Sequence, residues 1–426
     1  MSDQKQSILI ISGVRGDTRR YRTFHLYEQA RLAGLDCQLA HITDRNLQPK
    51  VQQAHLVILH RTFYTPLVDW IIKDVHQRGG LLIQDIDDLL FEPDVFRYID
   101  SPDFSDPMRS SLYIEEMHLY HQTVEACDVI IAATDYLAER VKRLGKPVWV
   151  HRNAFSLEML DISRKALKSR RGMDERIVIG YASGTATHNH DFSLTKPALF
   201  SGMQKFANTE LWLVGPLDPG KAWGSMGDRV HRLKKVPWRD LPAILAQFDI
   251  NLAPLRLDNP FGQSKSEIKY VEAALVKVPT IGSSSEAFKH AIRSTFNGFL
   301  ADNNKEWEQQ LEKLIYEPRL RRETGEIAFQ DVLKHYHPLV RARELVETLS
   351  AIGGRKITST ILNQPDNEVA EPTQEYWSSA RLEKSPSLLQ MARYSLRQRG
   401  FRVLTRQIRV YIRRWLSPVF PYRKHE

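Results

Sequence analysis

The chain has 426 residues, of which 42% are apolar, so it is long enough for two or three domains with separate cores. Its two cysteines, Cys37 and Cys127, are too few to staple a fold of this size, which excludes a disulfide scaffold and favours a reducing, cytoplasmic compartment. No apolar run approaches the roughly 18 residues of a membrane-spanning helix. We also expect no signal peptide, because the first residues lead directly into a strand-like segment.

The net charge of +9 is unevenly distributed along the chain. Residues 376–426 contain 12 Lys and Arg and two acidic residues, whereas residues 1–375 contain 48 basic and 49 acidic residues. A basic excess spread over a whole protein is typical of nucleic-acid or membrane-binding proteins. Here the body is close to neutral, so we expect only the C-terminal segment to bind an anionic partner.

Short β-branched runs alternate with longer helical segments in the first half of the chain, which is typical of a parallel sheet covered on both faces. The predicted strands are 7–14, 37–42, 56–61, 81–84, 128–134 and 147–151. The predicted helices include 20–33, 66–78 and 108–126. This pattern predicts one doubly wound domain over residues 1–160.

The alternation restarts after a polar, basic connector at 163–175. The predicted strands of the second half are 176–182, 210–214, 230–236, 250–255, 279–282 and 298–302, and a helical region at 305–349 follows them. We therefore predict a second doubly wound domain at 175–350. Residues 357–380 contain four acidic residues, two prolines and no Lys or Arg, which indicates a linker before a basic tail at 381–426.

Doubly wound sheets bind their ligands at the carboxyl ends of the strands. Two such domains in tandem place these ends across an interdomain cleft, so we expect the site in loops that directly follow strands. Because tandem α/β domains serve many functions, the loops rather than the fold have to indicate the chemistry.

The loop after the strand at 176–182 is rich in small and hydroxyl-bearing residues. Gly184 lets backbone N–H groups approach a diphosphate, and the hydroxyls of Ser183 and Thr185 provide additional donors. The same pattern fits an ordinary strand-to-helix turn with a Ser or Thr cap.

The most informative segment is 261–274, which follows a predicted strand and opens a helix near Ser266. Lys265 lies before the first turn, where a lysine and a helix N-terminus together suit a phosphate. Glu272 lies about two turns further on, and its carboxylate can accept hydrogen bonds from two ribose hydroxyls. The alternative is a capped surface helix whose charges are solvated.

Together these motifs resemble the donor domain of a GT-B glycosyltransferase of the large retaining family 4, also called group 1. The motifs are Ser183-Gly184-Thr185, Lys265, Glu272-Ala273-Ala274, Val278-Pro279-Thr280-Ile281, Gly298-Phe299-Leu300 and Trp307. The resemblance covers residues 7–350 in architecture and 179–307 in motifs. It implies an α/β GT-B fold, in which an acceptor-side Rossmann-like domain and a nucleotide-sugar-binding Rossmann-like domain face a cleft.

The resemblance also implies that a nucleoside diphosphate sugar binds the second domain as co-substrate, with no further cofactor. In the family, two glutamates lie eight positions apart, the second on the ribose and the first near the donor sugar. Glu272 matches the second, but Ser264 stands at the position of the first, so Ser264 and Glu267 are candidates to replace it. Lys265 is the counterpart of the basic residues that hold the diphosphate, and His188 stands in the loop where the family usually has an arginine.

A glycine-containing loop follows the first predicted strand, with Gly13 and Gly16 in the loop and Arg22 entering the next helix. In relatives, a similar loop lies against the acceptor or the donor phosphates, so these three residues are candidates for an acceptor or phosphate loop. The alternative is a simple turn, because glycine after a first strand is common in doubly wound sheets.

An acidic loop follows the fourth predicted strand and contains Asp85, Asp87 and Asp88. Three neighbouring carboxylates repel one another unless they bind a cation, accept hydroxyl hydrogen bonds or meet Arg and Lys side chains. Asp85 and Asp87 point to the same side if the strand continues, so this pair is the candidate for acceptor recognition or catalytic support, together with Lys265. The alternative is a capped, solvated loop.

Two groups of residues could be interpreted as metal ligands. The acidic loop could hold Mg²⁺ through one or two carboxylates. His188, His190 and Asp191 could bind a metal ion, although zinc would need further ligands. Because GT-B enzymes generally stabilise the leaving diphosphate with helix dipoles and basic residues, we predict no metal site.

The resemblance implies a retaining glycosyltransferase in which the acceptor hydroxyl attacks from the face that the diphosphate leaves. The protein then positions the reactants and stabilises charge, without the carboxylate pair of a hydrolase. We expect the acceptor to be a glycan or lipid-linked, in cell-surface polysaccharide synthesis. The alternatives are a nucleotide-sugar epimerase or phosphorylase on the same fold, and a degenerate GT-B domain that acts as a membrane-tethered scaffold.

The tail contains an amphipathic basic helix between residues 399 and 420. Its apolar residues are Phe401, Leu404, Ile408, Tyr411, Ile412 and Trp415, and its basic cluster is Arg402, Arg406, Arg409 and Arg413. We predict that the arginines and Trp415 bind an anionic membrane, which would place the protein in the cytoplasm, peripheral at the inner membrane face. The alternative is that the apolar face docks on the body or on a partner. We expect no nucleic acid, since the body lacks a companion basic face.

Overall fold

The computed structural model describes residues 7–99, 101–170, 172, 176–218, 220–354, 359 and 385–416. Most of the predicted linker at 357–380 and both ends of the predicted tail lie outside these residues. Two parallel six-stranded sheets with helices around them form the body, so the predicted α/β architecture is confirmed.

The first sheet has the strand order β2-β1-β3-β4-β5-β6, and every neighbouring pair is parallel. Its strands are β1 Ile8–Ser12, β2 Cys37–His41, β3 Leu56–His60, β4 Leu81–Ile86, β5 Val129–Ala132 and β6 Val148–Val150. All six predicted strands are present. Strand β4 is two residues longer than predicted, so Asp85 belongs to the strand and not to the loop after it.

The helices of the first domain cover both faces of this sheet. They are α1 Asp17–Arg19, α2 His25–Leu32, α3 Leu47–Gln53, α4 Pro66–Gln77, α5 Pro107–Ala126, α6 Asp135–Lys142 and α7 Leu157–Lys168, with a π-helical turn at Arg20–Phe24 between α1 and α2 and 3₁₀ turns at Pro93–Tyr98 and Pro102–Ser105. Helix α7 occupies the first half of the predicted connector.

The second sheet has the order β12-β11-β10-β7-β8-β9 and is also parallel throughout. Its strands are β7 Ile177–Ala182, β8 Thr209–Val214, β9 Val230–Leu233, β10 Ile250–Ala253, β11 Thr280–Gly282 and β12 Phe299–Leu300. The helices of this half are α8 Asn189–Ser193, α9 Lys196–Lys205, α10 Leu241–Leu245, α11 Pro260–Gln263, α12 Ile268–Ala274, α13 Glu286–Ala291, α14 Asn304–Tyr316, α15 Pro318–Tyr336 and α16 Pro338–Gly353, with 3₁₀ turns at Ala186–His188 and Lys221–Arg229.

The predicted helical region at 305–349 is three helices and not one. Helices α15 and α16 each begin at a proline, Pro318 and Pro338. Proline disfavours the helical conformation of the residue before it and lacks an N–H donor, so it ends one helix and starts the next.

Helix α16 leaves the second sheet and packs on the first. Its buried residues Leu345 and Leu349 share a core with Ile8 of β1 and Leu26 of α2. The end of the predicted second domain therefore contributes to the core of the first domain and connects the two domains by apolar packing. The domain limits 1–160 and 175–350 stay predictions.

The last described helix, α17, spans Leu388–Leu416 and is kinked at Gly400, where φ is 84°. Among the described residues, none of the helices combines the length and apolar character that a membrane span requires.

Gly180 in β7 is required by the packing of the second sheet. A Cβ atom at this position would lie 2.1 Å from the ring of Phe248, which is fully buried. We expect Gly180→Ala to lower the free energy of unfolding by about 1–3 kcal/mol, because overpacking forces the ring or the strand to shift. Urea denaturation measures this change. Gly224→Ala is the control, since a Cβ there meets nothing within 4 Å, and an equal effect of both substitutions would contradict the packing argument.

Candidate active site

A pocket of about 240 Å³ lies between the two domains at the carboxyl ends of the strands. The first domain contributes Asp17, Arg20 and Tyr21, and the second contributes Ser183, Gly184, His188, Lys235, Trp238, Lys265, Lys269 and Glu272 among others. The cleft position that the sequence predicts is therefore where the pocket is found.

Glu272 in helix α12 supplies a carboxylate to the pocket. Its side chain is only 9% exposed, and burial raises its pKa, although Arg20 and the hydroxyl of Tyr21 act in the opposite direction. The Tyr21 hydroxyl donates a hydrogen bond to Oε1 of Glu272 across the cleft. A buried carboxylate that accepts a hydroxyl hydrogen bond has the chemistry expected of a ribose-binding group.

Two lysines lie near this carboxylate. Lys265 precedes α12, which begins at Ile268 and not at Ser266, and its Nζ lies 2.6 Å from Oδ1 of Asp88 in the first domain. Lys269, which the sequence analysis did not single out, donates a hydrogen bond of 2.5 Å to the backbone carbonyl of Ala182 at the end of β7. Burial lowers the pKa of Lys269.

The loop after β7 brings two of its three predicted donors to the pocket. Ser183 and Gly184 line the pocket, whereas Thr185 is exposed and is absent from its wall. His188 also lines it, and its Nδ1 lies 2.7 Å from a carboxylate oxygen of Asp191, so Nε2 is the ring nitrogen that remains for a ligand. Burial lowers the pKa of His188.

The two candidates for the missing glutamate do not line the pocket. Ser264 is fully buried, and its hydroxyl donates to the Phe261 carbonyl over 2.8 Å. Glu267 is also fully buried, accepts a 2.8 Å hydrogen bond from Tyr336 and lies 3.8 Å from Arg152. Both side chains therefore make contacts within the protein, although Oε2 of Glu267 has no hydrogen-bond partner among the described residues.

The glycine loop of the first domain has a packing role. A Cβ on Gly13 would lie 2.1 Å from the carbonyl oxygen of Arg61, so only glycine fits there. Gly16 has φ of 87° and precedes α1, a conformation that glycine adopts at no steric cost. Neither glycine lines the pocket.

Asp85 and Arg22 form a buried ion pair in the first domain and do not face the cleft. Both side chains are at most 1% exposed, and two hydrogen bonds of 2.8 and 2.6 Å join them. Arg22 also donates to the carbonyl of His151, and His60 lies 3.1 Å from Asp85. Although burial raises the pKa of Asp85, the Arg22 guanidinium holds it well below its usual range. The pairing therefore places Asp85 and Arg22 inside the first domain, whereas their roles beside an acceptor and in a phosphate loop stay predictions.

The other two aspartates of the acidic loop are bound by Arg61. Asp87 accepts two hydrogen bonds from Arg61, of 2.7 and 2.9 Å, and Asp88 accepts one of 2.6 Å. Arg61 itself has φ of 48°, a left-handed conformation that is uncommon for a non-glycine residue and typical of functional sites. Asp88, which connects Arg61 to Lys265, is the member of this loop that reaches the donor-side residues.

The π-helical turn at Arg20–Phe24 brings two further residues into the pocket. Tyr21 contacts Glu272, and the guanidinium of Arg20 lies over the rings of Tyr21 and Trp238, at 3.9 and 4.5 Å. π-Helical turns occur frequently at functional sites. Neither residue was predicted from the sequence, although three arginines within residues 19–22 concentrate positive charge after the first strand.

Among the described residues, no group of three or more His, Cys, Asp or Glu side chains could hold a metal ion. The carboxylates of the acidic loop are neutralised by arginine and lysine side chains. In the predicted histidine group, His188 is hydrogen-bonded to Asp191.

Residues 176–317 match the sequence profile of the family described as "Glycosyl transferases group 1". The second domain is therefore a group 1 glycosyltransferase domain. A comparison with curated protein sequences found no match.

Solved structures of similar fold extend this likeness to both domains. Sucrose-phosphate synthase from Thermosynechococcus elongatus is 14% identical with a TM-score of 0.55, and the match covers 82% of this chain and 99% of that chain. HepE from Anabaena, solved in complex with UDP and glucose, is 14% identical with a TM-score of 0.55, over 81% of this chain and 100% of that chain. WaaG, a glycosyltransferase involved in lipopolysaccharide biosynthesis, is 13% identical with a TM-score of 0.54, over 79% and 98%. The chain has the GT-B fold and contains a group 1 glycosyltransferase domain.

The C-terminal helix docks on the first domain through several of its arginines and through Tyr394, which packs against the core of that domain. Arg399 and Arg406 lie 2.9 Å from Glu116 and Glu115 of α5, and Arg413 lies 3.3 Å from Asp106. Arg406 and Arg413, predicted to face a membrane, therefore bind the protein's own carboxylates. Periodicity places residues on a common face of a helix but does not say which face packs.

Other predicted membrane-facing residues of α17 are exposed in the structure. Arg402 and Arg409 are exposed. Exposed apolar side chains include Phe401 at 70%, Tyr411 at 55% and Ile412 at 48%. The side chain of Trp415 lies outside the described residues.

The buried ion pair between Asp85 and Arg22 should stabilise the folded protein. Asp85→Asn leaves the Arg22 guanidinium buried without a counter-charge, so we expect a loss of about 3–5 kcal/mol in the free energy of unfolding at pH 7. Because the pKa of Asp85 is lowered in the folded state, its ionic contribution is present above the ordinary carboxyl pKa near 4 and disappears as the pH falls below it. The difference between wild type and variant should therefore narrow in acid.

Urea denaturation at neutral and acidic pH measures both effects. Asp36→Asn, at an exposed aspartate of the same domain, is the matched control. A variant as stable as the wild type at pH 7 would show that the pair is not needed by the fold.

Proposed function

We propose that this glycosyltransferase moves a sugar from a nucleoside diphosphate sugar to a glycan or lipid-linked acceptor, in the synthesis of a cell-surface polysaccharide. The observation that carries the proposal is the interdomain pocket, in which the buried carboxylate of Glu272 lies among the cationic side chains of Lys265, Lys269 and Arg20. The structures of HepE with UDP and glucose support the donor class, and the role of WaaG in lipopolysaccharide biosynthesis supports a glycan acceptor.

The donor's ribose would bind Glu272. Its hydroxyls would take the place of the Tyr21 hydroxyl, which now donates to Oε1 of this carboxylate. A carboxylate can accept two such hydrogen bonds, so the exchange leaves Glu272 satisfied. Burial raises the pKa of Glu272, and hydroxyl donors act in the opposite direction because they stabilise the ionised carboxylate.

The diphosphate would bind next to the ribose, among Lys265, Lys269, His188 and the backbone of Ser183-Gly184. These groups supply positive charge and donors where negative charge develops as the sugar–phosphate bond breaks. Lys265, now paired with Asp88 over 2.6 Å, would exchange that partner for a phosphate oxygen. We propose Lys265 as the catalytic cation of the site.

Asp85 and Asp87 would act through their arginines. Asp85 fixes Arg22 and so the turn that presents Tyr21, and Asp87 fixes Arg61, which also binds Asp88. We propose that transfer is retaining, with the acceptor hydroxyl attacking from the face that the diphosphate leaves. Neither a metal ion nor a further cofactor has a role in this proposal.

Substitution of the donor-site residues tests this assignment. Glu272→Ala and Lys265→Ala should each reduce kcat/KM for the donor at least about 100-fold, because each removes a charged partner of the nucleotide. The assay supplies a panel of labelled nucleoside diphosphate sugars and measures release of the nucleoside diphosphate and appearance of label on the acceptor. Lys289→Ala, at an exposed lysine of α13, is the control.

Full turnover by both variants would refute the donor-site assignment. Conversion of the labelled sugar to an isomer in the absence of acceptor would refute glycosyl transfer in favour of epimerisation.

We also propose that helix α17 holds the enzyme on the cytoplasmic face of an anionic membrane. Its arginine-rich face binds α5, so its apolar residues Phe401, Ile408, Tyr411 and Ile412 are turned outward, beside the exposed Arg402 and Arg409. Residues 385–416 contain eight arginines and no acidic residue. An outward apolar stripe with flanking cations suits an anionic lipid surface, where each basic residue near the surface contributes about 1 kcal/mol.

Vesicle flotation tests the membrane proposal. Full-length protein should float with vesicles that contain phosphatidylglycerol, and the double variant Ile408→Ser with Ile412→Ser should stay in the soluble fraction. Tyr316→Ser, which removes an aromatic side chain that is 63% exposed on α14, is the control. Flotation of the double variant to the same extent as the wild type would refute α17 as the anchor.

A further inference from the structure

Arg20 is a buried cation whose hydrogen-bonding capacity is only partly used: its side chain is hydrogen-bonded to Tyr21, but not all of its donors have partners among the described residues. Its side chain is 7% exposed and lines the interdomain pocket. Two of its donor atoms, Nε and Nη1, are buried and have no hydrogen-bond partner among the described residues. The nearest counter-charge, Oδ1 of Asp17, lies 3.8 Å from Nε, which is beyond hydrogen-bond length.

Packing from both domains fixes the position of this guanidinium. Its central carbon lies 3.9 Å from the ring centre of Tyr21 and 4.5 Å from that of Trp238, and Trp238 belongs to the second domain. Aromatic rings stabilise the charge through the face of the guanidinium, but the N–H bonds point outward in its plane and need acceptors of their own. A desolvated charge without such acceptors is costly, unless a ligand supplies them.

Glu272, the carboxylate that lines the same pocket, already accepts a hydrogen bond. Glu272 accepts the Tyr21 hydroxyl, and no ion pair of 4 Å or less joins it to Arg20 among the described residues. The partner of Arg20 is therefore better sought in the ligand than in the protein.

We propose that Arg20 binds the diphosphate of the donor, so that the first domain contributes a phosphate ligand to a nucleotide held by the second. This inference rests on the proposed function, since it places the ribose at Glu272 and the phosphates next to it. The guanidinium presents paired N–H donors that match two oxygens of a phosphate. Lys265 and Lys269 have partners already, Asp88 and the Ala182 carbonyl, whereas two donors of Arg20 have none.

Such a contact would let the bound nucleotide join the two domains. Tyr21 releases Glu272 to the ribose, and its ring continues to support the adjacent Arg20. The nucleotide then replaces a direct contact between the domains, Tyr21 to Glu272, by a contact through its own ribose and phosphate.

Isothermal titration calorimetry with UDP, GDP and ADP, and with the corresponding nucleosides, tests this role. For the base that the wild type prefers, Arg20→Gln should weaken binding of the nucleoside diphosphate about 10- to 100-fold and change binding of the nucleoside less than 2-fold. Arg20→Lys, which keeps the charge without the paired donors, should fall between the two. Arg31→Gln, at an exposed arginine of α2, is the control and should bind as the wild type does.

Two results would overturn the inference: equal affinity of wild type and Arg20→Gln for the nucleoside diphosphate, or an equal loss for diphosphate and nucleoside, which would indicate a packing role. If Arg20→Gln does not fold, the diphosphate-to-nucleoside affinity ratio of Arg20→Lys decides, and an unchanged ratio overturns the inference. Failure of the wild type to bind any of the nucleoside diphosphates would instead refute the proposed function itself.

Discussion

The buried ion pair between Arg22 and Asp85 is the constraint on which the cleft depends. Two charges inside the first domain are tolerated only because they neutralise each other and because Arg22 also donates to the His151 carbonyl and to Asn153. These contacts tie the turn after β1 to the ends of β4 and β6. The same turn presents Arg20 and Tyr21 to the second domain, so a charge pair outside the pocket determines where its first-domain wall lies.

The pocket itself is held together by contacts that a nucleotide could replace. Tyr21 binds Glu272, and Asp88 binds Lys265, each across the cleft. A ribose hydroxyl resembles the first donor and a phosphate oxygen resembles the second acceptor, so the interdomain contacts have the same chemistry as the proposed ligand. The packing of α16 on the first sheet, in contrast, is apolar and does not depend on the ligand. The apolar contacts of α16 therefore join the two domains with or without a ligand. The polar contacts in the pocket can be exchanged for contacts with a nucleotide.

Local pattern predicted the strands well, because buried parallel strands are short apolar runs and their carboxyl-end loops must form the site. Glu272 and Lys265 were found through the motifs around them. The contacts of Arg20 and Tyr21 could not be predicted from local motifs, because Tyr21 and Glu272 are 251 positions apart in the chain. Asp85 was expected in the loop after β4, but β4 runs two residues further than its pattern indicates. An ionised carboxylate inside a sheet needs a partner such as Arg22, and no local pattern reveals that partner. Similarly, periodicity described the two faces of α17 but not that its arginines would meet the carboxylates of α5.

We propose that one nucleoside diphosphate binds between the domains and takes over the contacts that now cross the cleft. A crystal structure of the protein with its preferred nucleoside diphosphate tests this most directly. We expect ribose hydroxyls on the Glu272 carboxylate, the Tyr21 hydroxyl displaced from it, and phosphate oxygens within hydrogen-bond distance of Lys265 and Arg20. A nucleotide bound elsewhere, or one bound while Tyr21 remains on Glu272, would contradict it.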